Sequence, residues 1–161
     1  MTKLYKISSI LMAALFLASA SVQFNDPDWY LWIPLYCCAA YANLMRSLAS
    51  CPSERTTATG KVTLALGIFL LSKVILEDYS LDDKFGIWSL DMRHRLVREK
   101  IGSVLVISSL ILQLLLKKDP YTKKMNIKFA SHVEYGMTLL VGISYGLSLV
   151  FLVFHEKEMQ F

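Results

Sequence analysis

Cysteine is nearly missing: three occur in 161 residues, at Cys37, Cys38 and Cys51. The first two are adjacent inside an apolar run, where neighbouring helical residues point about 100° apart and are badly placed to bridge. No CxxC and no Cys/His group with zinc spacing occurs, which excludes a disulfide framework and a structural metal of that type. Charge is also scarce, at 19% of residues, where soluble domains carry about 25%. Serine–histidine–aspartate patterns, phosphate-binding glycine loops and HExxH are absent as well. His94, His132 and His155 have no haem or zinc spacing within one helix. The expectation is a protein that is not an enzyme and needs no cofactor.

What the chain has in excess is apolar sequence. Its hydrophobic fraction is 55%, and the excess sits in blocks separated by short charged stretches. That is the pattern of segments whose apolar faces are accepted by lipid. Five blocks, at 5–24, 29–45, 62–76, 101–116 and 129–154, predict an all-α integral membrane bundle of about five transmembrane helices with short loops, forming one domain over 1–161. The third block is the weakest, because 62–76 as a helix spans only about 23 Å of a core roughly 30 Å thick. It also carries Lys73, whose stem is long enough to snorkel to the boundary. The first block has a second reading as a cleavable signal peptide ending near Ala18-Ser19-Ala20. Trp29, Tyr30 and Trp32 open the second block, where amphipathic rings favour the membrane–water boundary.

The net charge of +4 lies mostly between apolar blocks, so lipid, and not nucleic acid, is the expected partner. With five spans, ten of the 17 lysines and arginines fall on the side of the N-terminus and seven on the other. This predicts a cytoplasmic N-terminus and an outward or lumenal C-terminus. The lysine-rich link from Lys117 to Lys128 fits that bias and also fits attraction to anionic lipid. Cys51, beside a predicted span, is either a plain thiol or a palmitoylation site.

Candidate sites are few. In Asn25-Asp26-Pro27-Asp28, Asp26 reads as an N-cap, Pro27 as the first helical residue and Asp28 as a charge matched to the helix dipole. The same oxygens make Asp26 and Asp28 weak candidates for holding a divalent cation with Glu77, Asp78, Asp82 or Asp83 of the acidic third loop. Arg98-Glu99 with Gly102 opens the fourth block. It reads as a charged interfacial turn or, if Glu99 is buried against Arg98 or Lys73, as a functional group. Gly142 and Gly146 form a GxxxG that permits close helix packing, within the bundle or against a second copy. His132 and Glu134 become catalytic candidates only if they converge in space with Glu99.

At these residues a family likeness emerges. Gln23-Phe24-Asn25-Asp26-Pro27-Asp28, followed by Trp32 and Tyr36, resembles the first loop of the transmembrane protein 220 family. Arg98-Glu99 with Gly102 resembles that family's second patch, although Arg93, His94 and Arg95 stand where acidic residues are expected before it. The resemblance implies a small multi-pass membrane protein and supplies no activity. The functional expectation is therefore association with itself or with a membrane partner. The alternative is ion or solute binding, or transport, by the Asn25–Asp28 turn and the acidic third loop.

Overall fold

The computed structural model describes residues 3–48, 53–80, 95–116 and 127–158, apart from the side chains of 80, 127–130 and 151–158. Cys51, Asp82, Asp83, Arg93, His94, the link from Lys117 to Asn126 and the side chain of His155 lie outside that set. The described residues form five α-helices and no strand. They are α1 (Lys3–Val22), α2 (Trp29–Leu48), α3 (Glu54–Ser80), α4 (Arg95–Leu115) and α5 (Ile127–Glu158), with a 3-10 turn over Gln23–Asn25.

The reversal between α1 and α2 closes on backbone bonds. The Asp26 amide donates to the Gln23 carbonyl at 3.0 Å, the Trp29 amide to Asp26 at 3.2 Å and the Leu31 amide to Asp28 at 3.0 Å. The helix begins at Trp29, so Pro27 sits in the preceding turn, not in the first helical position. A missing N–H is harmless there.

The largest departure from expectation is α3. The apolar blocks place the third helix at 62–76, yet it starts at Glu54 and runs 27 residues, about 40 Å. Its threonines make this possible by returning their hydroxyls to the backbone. Thr57 donates to the Ser53 carbonyl at 3.2 Å, Thr59 to Arg55 at 3.0 Å and Thr63 to Thr59 at 2.8 Å. Satisfied in this way, polar residues remain compatible with a helix. The added length removes the concern that the third block is too short to span.

Consecutive helices pack against one another, α5 returns onto α1, and α2 meets α4 across the middle. By length and composition α1, α3 and α5 can each cross a membrane. Helices α2 and α4, of 20 and 21 residues, fall short in composition because they carry polar side chains. Several of those side chains, among them Asn43, Ser103, Ser109 and Gln113, point inward. The Ser109 hydroxyl of α4 donates to Asn43 Oδ1 of α2 at 3.0 Å, and both are fully buried. Buried polar groups tied to each other in this way fix the register of two helices. Large apolar side chains such as Leu17, Val62, Phe69 and Leu139 are exposed on the outside of the bundle, as lipid-facing positions should be.

The core comprises Tyr5, Met12 and Phe16 of α1, Trp32, Leu35 and Tyr36 of α2, Leu70 and Val74 of α3, Val106 and Leu110 of α4, and Met137 of α5. Helix α1 is thus part of the core, and its loss as a signal peptide would remove Met12 and Phe16. The Tyr145 hydroxyl of α5 also donates to the Leu11 carbonyl at 3.0 Å.

Candidate functional site

Asp28, Trp32 and Tyr36 are spaced by four, so they share one face of the α2 entry. That face turns into the bundle. Trp32 is 0% exposed and donates through its indole N–H to Asp28 Oδ2 at 3.2 Å. Its ring lies 6.2 Å from that of Tyr36, which stacks in turn on Phe16 at 6.3 Å. Trp32 was expected at the membrane boundary with Trp29 and Tyr30. Only the latter two are exposed, and Trp32 is an internal donor. An indole N–H that is buried needs a partner, and Asp28 supplies it.

The end of α3 and the start of α4 close over this face. Lys73, expected to snorkel, instead donates to Asp28 Oδ2 at 2.8 Å. Arg95 branches between three carboxylates, with Nη1 3.8 Å from Asp28 Oδ1, Nη2 3.3 Å from Glu77 Oε1 and Nε 3.0 Å from Glu99 Oε1. Glu77 also stands one turn after Lys73 on α3, 4.0 Å from its ammonium. Beside the cluster, Lys100 pairs with Asp78. Burial alone would push the Asp28 carboxyl up. The Lys73 and Trp32 hydrogen bonds and the charge of Arg95 outweigh it and hold the group below the ordinary carboxylate value.

Glu99 is the most deeply placed charge, at 0% exposure. Among the described residues it pairs with Arg95, one turn earlier on the same helix, at 3.0 Å. Apart from this ion pair, neither Glu99 oxygen receives an aligned hydrogen bond among the described residues. Next to it, Gly102 allows α2 to approach α4. A Cβ at Gly102 would collide with the Tyr36 hydroxyl oxygen. The two sequence patches, 25–36 and 98–102, are therefore one structure. Asp28, Trp32, Tyr36, Glu99 and Gly102 meet at a single end of the bundle. Asn25 and Pro27 are exposed and Asp26 is half-buried in the turn above.

The described geometry does not favour the expected cation site at Asp26 and Asp28, whose further candidate ligands Asp82 and Asp83 lie outside the described residues. The oxygens of Asp28 already face Lys73, Trp32 and Arg95, and a site occupied by an ammonium and a guanidinium repels a divalent ion. No group of three metal-ligating side chains stands together among the described residues. Convergence of His132, Glu134 and Glu99 also fails. Gly136 of α5 packs against Leu112 of α4, and Glu99 lies thirteen residues before Leu112, about 20 Å along the helix.

Gly142 and Gly146 do not pack within the bundle. A Cβ added at either would meet nothing within 4 Å. The glycines that bring helices together are instead Gly102, Gly67 and Gly136; an added Cβ would stand 3.3 Å from Ile107 at Gly67 and 3.2 Å from Leu112 at Gly136.

Arg95 and Glu77 were missed as site residues. Their signal was present in the i, i+4 pairs Lys73/Glu77 and Arg95/Glu99, but the basic run 93–95 read as a departure from the family pattern and not as the charge that Glu99 requires.

Residues 15–115 match the family model described as "Transmembrane family 220, helix", a stretch that contains the turn, both patches and all of α2, α3 and α4. Neither the curated proteins nor the solved structures searched contain a match.

Proposed function

Since the chain belongs to transmembrane family 220, we propose that it is a non-enzymatic membrane bundle that works by associating, through the outer face of α5, with a second copy of itself. One observation carries this reading. Tyr135, Leu139, Gly142, Gly146 and Leu149 follow one another at steps of four, three, four and three, the 3.5-residue repeat of a helix–helix seam. Tyr135, Leu139 and Leu149 are 69%, 65% and 61% exposed, and an added Cβ at either central glycine would meet open space. Between lipid-facing helices, packing is driven by close backbone approach, which small residues allow. The lysine and arginine bias puts the N-terminus in the cytoplasm and the Asp28–Glu99 cluster on the far side. On this reading the cluster locks the bundle's end and leaves α5 as the interactive surface.

Native size in mild detergent tests it. The wild-type protein should run as a dimer and Gly142→Leu mostly as a monomer, because a leucine at the seam holds the helices apart. An assembly size unchanged by Gly142→Leu would rule out this seam.

A further inference from the structure

The opposite end of the bundle holds a second polar feature that the Asp28 cluster does not explain. Arg46, near the end of α2, is only 6% exposed. It donates through Nη2 to the Gln113 carbonyl of α4 at 3.1 Å. Its Nε has no hydrogen-bond partner among the described residues, and neither does Gln113 Nε2, on a side chain 7% exposed. A buried donor left without an acceptor costs about 1–3 kcal/mol, and more when charged, so Arg46 Nε and Gln113 Nε2 each call for an acceptor beyond the Tyr5 hydroxyl of α1 that also faces Arg46. Both residues line one crevice between α2, α3 and α4 that is open to the outside.

The rest of the lining fits an anion. Thr56 and Thr57 come from the first turn of α3, where the helix dipole is positive. The Thr56 amide is already capped by Ser53 Oγ at 3.2 Å, so the crevice relies on side-chain donors and on the dipole. Among the described residues no carboxylate lines it. Gly60 is buried, yet a Cβ there would meet nothing within 4 Å, because the side chain would enter the crevice. Two leucines of α4, Leu110 and Leu114, form an apolar wall. Arg55 and Lys61 are exposed on the same stretch of α3.

We infer that this crevice binds a phosphate group, that of an anionic phospholipid headgroup or a free phosphate ion, through Arg46 and Gln113. A guanidinium with an unpartnered Nε–H, in one crevice with an unpartnered amide N–H₂, is suited to a phosphate's several acceptor oxygens. The leucine wall suits the ester side of a lipid. The crevice also lies at the bundle end that the lysine bias places toward the anionic leaflet.

The test is native mass spectrometry of the full chain in neutral detergent, with dioleoyl phosphatidate and dioleoylglycerol as the paired probes. Phosphatidate should be retained and dioleoylglycerol, which lacks the phosphate, should not. Gly60→Leu fills the crevice without touching Arg46 and should reduce phosphatidate retention roughly tenfold or more, the loss expected from charged hydrogen bonds. Arg46→Gln should do the same, and Gly60→Leu decides the matter if Arg46→Gln fails to fold. Displacement of phosphatidate by millimolar inorganic phosphate would assign the site to the free ion as well. Its failure to displace would assign the site to the lipid, and either result upholds a phosphate site. Equal retention of both probes, or phosphatidate retention unchanged in Gly60→Leu, overturns it.

Discussion

Gly102→Ala is expected to destabilise the folded bundle by about 1–3 kcal/mol, the range for overpacking a filled interior, although alanine is otherwise the better helix former by roughly 1 kcal/mol. The new Cβ would collide with the Tyr36 hydroxyl oxygen and lie 3.1 Å from its Cζ. The ring cannot swing aside easily, because Trp32 and Phe16 stack on it at 6.2 and 6.3 Å and it is 2% exposed. Relief must come from moving α4 away from α2, which would loosen Glu99 and Val106 on the same face of α4. Thermal unfolding in detergent reads this directly. Adding Tyr36→Phe removes the hydroxyl, so Tyr36→Phe/Gly102→Ala should melt above Gly102→Ala alone. Gly102→Ala melting at the wild-type temperature would mean that the α2–α4 contact is looser than described.

Asp28→Ala should have the second large effect, roughly 2–3 kcal/mol. A fully buried ion pair that loses one member costs about 3–5 kcal/mol, and an exposed one about 0–1 kcal/mol. This pair lies between those limits, with side-chain exposures of 10% for Asp28 and 36% for Lys73. The variant leaves Lys73 without its closest anion and the Trp32 N–H without its acceptor, and gives Arg95 one carboxylate fewer. Asp28→Asn should fall between the two, because an amide oxygen still accepts from Trp32. Folding lowers the Asp28 pKa, so the stability it contributes is complete above the ordinary carboxylate value. That stability fades as pH falls through the lower folded value. The wild-type melting temperature should therefore drop on acidification into that range, and Asp28→Asn should drop less.

Hydropathy revealed the number of helices and their approximate places, because lipid-facing residues write their burial into composition. It did not reveal which faces turn inward. Trp32 and Trp29 are the same residue type three positions apart, and only the four-residue steps from Asp28 to Trp32 to Tyr36 hint that one of them is internal. Helices α2 and α4 carry most of the polar residues that average hydropathy penalises, yet Asn43 and Ser109 are paired across the interior and Arg46 and Gln113 are buried between the helices. The start of α3 was illegible for a similar reason, because a threonine-rich stretch looks like a loop until its hydroxyls are seen bonded to the preceding turn. Both patches of the candidate site were visible as motifs. Their union was not, since Lys73 reaches Asp28 across 45 residues of chain, and the local Arg95/Glu99 pair does not reveal that Arg95 also faces Asp28 and Glu77.

The central claim is that the α1–α2 turn is tied to α3 through Asp28 and Lys73. A double-mutant cycle of Asp28→Asn and Lys73→Met, read by thermal unfolding in one detergent, tests it most directly. Each single change should strand a charge or a donor, and the double change should cost less than the sum of the two, with a coupling of roughly 1–2 kcal/mol. Strictly additive losses would contradict the account, because they would mean that the two side chains do not meet.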